Sequence, residues 1–194
     1  MNFILATTND HKFKELKALM PNIDLAKAEN MIEVEENEPT FLGNALLKAE
    51  ALYQELKMPI IADDSGLCVQ ALDNKPGVKT ARYGSDVFNR ILESKERNEY
   101  LLSNLKGVEN RKASFVCSLV AYISPYRIYT VTEEVNGEIT LSQTGVEGFG
   151  YDPVFYLPEL KKTMAELDSD TKGLYSHRGR AARAMNTLLE NIKL

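Results

Sequence analysis

Cysteine and histidine are scarce in this 194-residue chain, with two of each. Cys68 and Cys117 each lie inside an apolar stretch (GLCVQAL and SFVCSLVAY) and form no Cys-x-x-Cys pair. They read as buried thiols of a reducing compartment, the cytoplasm, which excludes a disulfide scaffold and a thiolate zinc site. Two histidines, His11 and His177, are too few for a histidine-cluster metal centre. No apolar run approaches the roughly 18 residues that span a bilayer, and Met1-Asn2-Phe3-Ile4-Leu5-Ala6 reaches polar residues too soon for a secretory signal. Membrane association is therefore not expected. Basic residues are outnumbered, 23 against 28, for a net charge of −5. That balance argues against a broad nucleic-acid surface and leaves room only for a small, enclosed phosphate site.

What remains is the composition of an ordinary globular protein, 44% hydrophobic and 26% charged, long enough for one domain spanning residues 1–194. Phe3 to Ala6 reads as a strand, then Thr7-Thr8-Asn9 as a polar turn, then Asp10 to Met20 as a helix with Phe13, Leu16, Leu19 and Met20 on one face. Thr40 caps a second helix, whose apolar stripe runs through Phe41, Leu42, Ala45, Leu46, Ala49, Leu52, Tyr53 and Leu56 before Pro59. Asn44 and Lys48 share another face of it, one turn apart. Ile60 to Ala62 predicts a short strand, resumed from Leu67 to Leu72 and closed by the turn Asp73 to Gly77.

A helix follows through 87–105, with Val87, Ile91, Tyr100, Leu101 and Leu105 as core candidates. Ala113 to Ile123 and Ile128 to Val135 read as a hairpin, and Asn136 to Thr140 as a further turn. Arg180 to Ile192 is helical. Interleaved helices and strands with a hairpin in the middle predict an α/β protein with a mixed sheet.

Four stretches suggest chemistry. Thr7 to Lys12 stands at a helix N-terminus, where hydroxyls, amides and an ammonium suit a phosphate; a plain N-cap with an exposed lysine is the alternative, since the P-loop spacing is missing. Asp63-Asp64 ends an apolar run, either as a turn with Ser65-Gly66 or as a hard-cation site with one carboxylate turned inward. Gly145-Val146-Glu147-Gly148-Phe149-Gly150-Tyr151-Asp152-Pro153 offers two flat rings for a nucleobase, or a loop packing its rings under itself, with Asp152 held extended before proline. Lys172, Ser176, His177 and Arg178 precede the last helix. The guanidinium of Arg178, with donors only, would favour a 6-oxo purine over adenine. Ser65 is outside any G-x-S-x-G elbow, which makes a serine hydrolase remote.

Thr7-Thr8-Asn9-x-x-Lys12, FLGNALLKA (41–49), ADDSGL (62–67), PGVKTARY (76–83), GFGYDPVF (148–155) and SHRGRA (176–181) stand in the order of the inosine/xanthosine triphosphate pyrophosphatase family, which the chain resembles over nearly its whole length. The resemblance implies an elongated mixed sheet flanked by helices, two lobes with a central cleft, and a cytoplasmic homodimer. It implies a Mg²⁺-dependent hydrolysis of ITP, dITP and XTP to the monophosphate and pyrophosphate. Thr7, Thr8, Asn9, Asp10, His11 and Lys12 would then meet the triphosphate, with Lys48 as a further cation. Asp64 would be metal ligand and proton acceptor, and Ser65 would touch substrate. Phe149, Gly150, Tyr151, Asp152, Lys172, His177 and Arg178 would line the nucleotide pocket.

One position departs from the pattern. The family's T-F-x-E-N-A places a second metal-binding glutamate where this chain has Gly43. Either Glu36, Glu38, Asp63 or water makes up the ligand set, or the chain is a nucleotide-binding module with weakened catalysis.

Overall fold

A computed structural model of the chain describes residues 2–28, 32 and 34–192. The elements run β1 (Asn2–Ala6), α1 (Asp10–Leu19), β2 (Asp24–Lys27), α2 (Phe41–Leu56), β3 (Ile60–Val69), β4 (Lys75–Pro76), α3 (Ser85–Phe88), α4 (Ser94–Asn104), β5 (Lys112–Ser124), β6 (Arg127–Ile139), β7 (Phe155–Leu157), β8 (Lys162–Thr163), α5 (Ser169–Tyr175) and α6 (His177–Glu190). Among the described residues the sheet is eight-stranded, ordered β2-β1-β3-β5-β6-β7-β8, with β4 on β3. β1 pairs parallel with β2 and β3, whereas β3–β4, β6–β7 and β7–β8 are antiparallel, so the sheet is mixed as expected.

The chain divides into two compact units. The first comprises 1–65, 117–133 and 177–194, the second 66–116 and 134–176. The core of the first packs Leu16 of α1, Met20 just after it, and Ala181, Ala182 and Met185 of α6 with Phe3, Leu5, Ile61 and Leu119 of the sheet. Ala45, Ala49 and Leu52 of α2 pack with Ile60, Ala62 and Val120 in a further cluster of that unit. The second unit has its own core, built on Leu67, Val69, Leu101, Phe115, Tyr151, Phe155 and Met164. Among the described residues no helix is long and apolar enough to cross a membrane.

Four local expectations are corrected. β3 does not stop at Ala62 but runs unbroken through Asp63-Asp64-Ser65-Gly66. The polar residues continue the strand because their side chains find ion-pair and hydrogen-bond partners there. The single helix over 87–105 is two, α3 and α4, separated at Asn89, which is left-handed (φ 52°). Val87 and Ile91 are exposed, while Leu101 and Leu105 are buried as expected. Asn136-Gly137 is not a turn; β6 continues to Ile139, and Gly137 is there because a Cβ would meet the Tyr156 carbonyl at 2.4 Å and the Phe155 ring at 2.7 Å. The last helix begins at His177, so His177 and Arg178 belong to its first turn rather than preceding it.

Both thiols are free, and Cys117 is fully buried, with burial pushing it up to about 12. A thiol held neutral in the native state contributes stability below the ordinary value of 9.0 and loses it as pH rises from there toward about 12. At pH 8 iodoacetamide is therefore expected to leave Cys117 unmodified until the chain is unfolded, as read by peptide mass spectrometry. Labelling of Cys117 in the native chain would contradict this burial.

Candidate active site

In the first unit β1 and β3 run parallel, with Ala6 opposite Ala62, so the Thr7–Asn9 turn opens beside Asp63. Carboxyl ends of parallel strands are where open α/β sheets receive ligands. Asn9 caps α1: its side-chain oxygen accepts from the His11 amide at 2.9 Å and the Lys12 amide at 3.2 Å, and its own amide donates to Thr7 Oγ1 at 3.2 Å. Asp10 pairs with Lys27. The N-cap expectation holds, but Lys12 does not extend into solvent. It turns inward to Asp63, 2.8 Å away.

Strand alternation separates the two carboxylates. Asp63 is 1% exposed and meets Lys12, the Ser65 hydroxyl (3.3 Å) and Arg178 Nε (3.9 Å). Arg178, 3% exposed, also donates to Glu15 Oε2 at 2.6 Å and to Ser65 Oγ at 2.9 Å. Burial alone would raise Asp63, but Lys12, Arg178 and Lys48 outweigh it and hold the carboxyl well below its usual range. Arg178 is likewise pushed down by burial and more than restored by Glu15 and Asp63.

Asp64 has a different set of neighbours. Its Oδ2 accepts from Asn44 Nδ2 at 3.1 Å, its Oδ1 from the Ser65 amide at 3.0 Å, and Lys48 Nζ stands 3.9 Å from Oδ1. Lys48 is also 3.1 Å from Glu36. Here burial prevails: Asp64 is raised, against the pull of Lys48 and Lys12. Lys48 is raised too, because Asp63, Asp64 and Glu36 together overcome its burial.

Asn44, fully buried on α2, is the pivot, since its side-chain oxygen accepts from the Glu38 amide at 3.0 Å while its nitrogen holds Asp64. The Asn44–Lys48 face expected from the sequence is thus the face α2 turns to Asp64.

The donor set around Asp64 fits a hard divalent cation. An ionised carboxylate offers about four lone-pair positions, and the described residues place one hydrogen bond on each oxygen of Asp64. On the other side of the strand, Asp63 Oδ1 is buried with no hydrogen-bond partner among the described residues. Among the described residues no three His, Cys, Asp or Glu gather into a metal cluster. One or two carboxylates completed by water and substrate oxygens is the way magnesium commonly binds.

The second unit carries the glycine-aromatic loop. Gly148 (φ 74°) lies against Asp152, whose Oδ2 a Cβ would meet at 2.2 Å, so only glycine fits. That oxygen accepts from the Phe149 amide and from Lys172 Nζ, both at 2.8 Å. Lys172 Nζ lies 5.0 Å from the centroid of the half-buried Phe149 ring. Asp152 is not extended as expected but opens a 3-10 turn to Val154, its amide donating to the Phe149 carbonyl.

The two rings divide the alternatives left open by the sequence. Phe149 is half-buried beside Lys172, whereas Tyr151 is 2% exposed and packs in the core, its hydroxyl donating to the Thr80 carbonyl at 3.1 Å. Tyr151→Phe is expected to cost about 1 kcal/mol of stability, read by urea unfolding. An unchanged unfolding midpoint would mean that this hydrogen bond contributes nothing to the fold.

Three supporting residues were not singled out from the sequence. Glu15 follows Lys12 by three residues on α1, a spacing that puts both on one face. Asn98, 1% exposed on α4, donates to the Gly150 carbonyl at 3.0 Å, and an Asn amid the apolar positions of that helix was the available signal. Thr80, inside the PGVKTARY stretch, accepts from the Leu67 amide and donates to the Gly77 carbonyl. That stretch thus braces β3 and Tyr151.

Lys12, Lys48 and Arg178 thus meet Asp63 and Asp64 of one strand, with Glu36 and Glu15 as further partners, in a buried charged site on a mixed α/β fold. The family model described as the Ham1 family matches residues 3–188, and the chain belongs to that family. It is 42% identical over 193 residues to a dITP/XTP pyrophosphatase of Treponema denticola, covering 98% of this chain and 99% of that protein. To the dITP/XTP pyrophosphatase of Aquifex aeolicus it is 43% identical over 198 residues, covering 98% of each. Among solved structures, the Ham1 protein of Staphylococcus aureus superposes with a TM-score of 0.87 at 36% identity, covering 98% of both chains.

Proposed function

We propose that this protein hydrolyses the triphosphates of deaminated purines, dITP, XTP and ITP, to the monophosphate and pyrophosphate, and so clears them from the cytoplasmic nucleotide pool. The observation that carries the reading is Asp64, a carboxylate on β3 raised by burial and faced by Lys48 and Asn44. It stands in a chain about two-fifths identical, over nearly full length, to proteins named for dITP and XTP. A Mg²⁺ ion held on Asp64 would neutralise the charge that builds on the leaving pyrophosphate.

Asp64 accepts the proton of the attacking water as its oxygen bonds to the α-phosphorus. The bond from that phosphorus to the bridging oxygen then breaks toward pyrophosphate. Lys12 and Lys48 supply positive charge to the phosphate oxygens, and Thr7, Thr8, Asn9, Asp10 and His11 form the turn that receives them. Ser65, tied to Asp63 and Arg178, holds β3 in register beneath the substrate.

In the second unit, Phe149 offers a stacking face, and Lys172, with Gly150, Tyr151 and Asp152 behind it, a donor for a 6-oxo group. Adenine's 6-amino group has nothing to give that ammonium. His177 and Arg178 complete the proposed substrate set, although Arg178 already commits two nitrogens to Glu15 and Ser65, which favours an organising role over direct base contact. The working form is taken to be a homodimer.

A steady-state comparison of dITP, XTP, ITP, GTP and ATP, assayed for pyrophosphate with and without Mg²⁺, tests the reading. dITP and XTP are expected to exceed ATP in kcat/KM by about 100-fold or more. Near-equal rates with ATP would overturn the substrate assignment, and sedimentation as a monomer would overturn the dimer.

A further inference from the structure

Gly43 and Glu38 are packed as one unit. A Cβ on Gly43 would lie 2.8 Å from Glu38 Cβ, 3.2 Å from Glu38 Cγ and 3.0 Å from Thr40 Oγ1. The stem of Glu38 therefore passes over the bare backbone of Gly43, through the space where a side chain at 43 would begin. The contact with Glu38 Cβ is too short to persist and cannot be relieved by a rotamer change, so a side chain at 43 and the present path of Glu38 compete for one space.

The backbone of Glu38 is also tied to Asp64. Its amide donates to Asn44 Oδ1 at 3.0 Å, and Asn44 Nδ2 donates to Asp64 Oδ2 at 3.1 Å. One asparagine thus ties together the backbone of the first glutamate and the carboxylate of the second acid. Glu36 is placed differently, its Oε1 engaged by Lys48 at 3.1 Å.

We propose that Glu38 supplies the second carboxylate to the cation held on Asp64, in the space left open by Gly43. The proposal rests on the pyrophosphatase reading above and extends it. The carboxylate reaches the site from the segment preceding α2 rather than from the helix. Gly43 on this account is not a lost ligand but the condition for the replacement one.

The test uses the full chain with Mn²⁺ as the probe, titrated by electron paramagnetic resonance in the presence of a non-hydrolysable α,β-imido analogue of dITP. Glu38→Gln is expected to weaken Mn²⁺ binding at least about tenfold, the scale on which supporting groups at metal sites act, with the thermal midpoint unchanged. Gly43→Glu alone, which drives a Cβ into Glu38, is expected to lower the thermal midpoint. Glu38→Gly with Gly43→Glu is expected to restore both the midpoint and the Mn²⁺ affinity.

Native-like Mn²⁺ affinity in Glu38→Gln overturns the assignment of Glu38 while leaving the pyrophosphatase reading intact. A native chain that neither binds Mn²⁺ nor releases pyrophosphate from dITP overturns both.

Discussion

Asp64→Asn is expected to lower pyrophosphate release from dITP by roughly 10³-fold, within the range that a positioned general base contributes. The substitution keeps one side-chain oxygen, enough for Asn44 or for the Ser65 amide but not for both, and removes the negative charge and the proton affinity. The lost acceptor is expected to cost about 1–2 kcal/mol. Burial already disfavours the ionised form of Asp64, so the neutral side chain offsets part of that cost. A variant within tenfold of the native rate would remove Asp64 from the chemistry. A collapsed thermal transition would show that its charge serves the fold.

Arg178→Met is expected to act the other way, chiefly on stability. It leaves Asp63 and Glu15 without the guanidinium that counters them, and removing one partner of a buried charged pair costs about 3–5 kcal/mol. For a chain of this size that corresponds to a fall in Tm of roughly 10 °C. Arg178→Lys should recover part of it, because an ammonium restores the charge but not the fork that reaches Glu15 and Ser65 together. A Tm within about 2 °C of native in Arg178→Met would mean that Lys12 alone satisfies Asp63.

These two outcomes separate residues that sequence reading places in one group. Local periodicity identified α2 closely, since Ala45, Ala49 and Leu52 recur at helical spacing and Thr40 accepts the Gly43 amide as its cap. The stripe is narrower than expected, with Leu42 and Leu56 both 38% exposed. α1 was legible for the same reason.

β3 was not, because Asp, Ser and Gly in succession are the usual vocabulary of turns. Only charges distant in sequence, Lys12, Lys48 and Arg178, let those residues stay buried in a strand. Gly137 misled in the same manner. Its glycine answers to Phe155 and Tyr156, which no local pattern announces.

For the site, the order of six motifs pointed to its parts, and the alternation rule correctly set Asp63 and Asp64 apart. What could not be read was the partition of cations. Of the two aspartates, it is Asp63 that Lys12 and Arg178 face. Lys48 and Asn44 take the other side. The coupling of Glu38 to Gly43 spans five positions and depends on the backbone path into α2, which composition does not specify.

The continuity of β3 gives the neighbouring carboxylates a parity. Deleting one residue from the Ile60–Ala62 run would send every following side chain to the opposite sheet face. Asp64 would then stand in the place of Asp63, on the Lys12–Arg178 side, and Asp63 in the place of Ala62, among Ala45, Ala49 and Ile60. The two acids differ in character only through odd and even, and a single-codon loss upstream would give each a new environment without changing either residue.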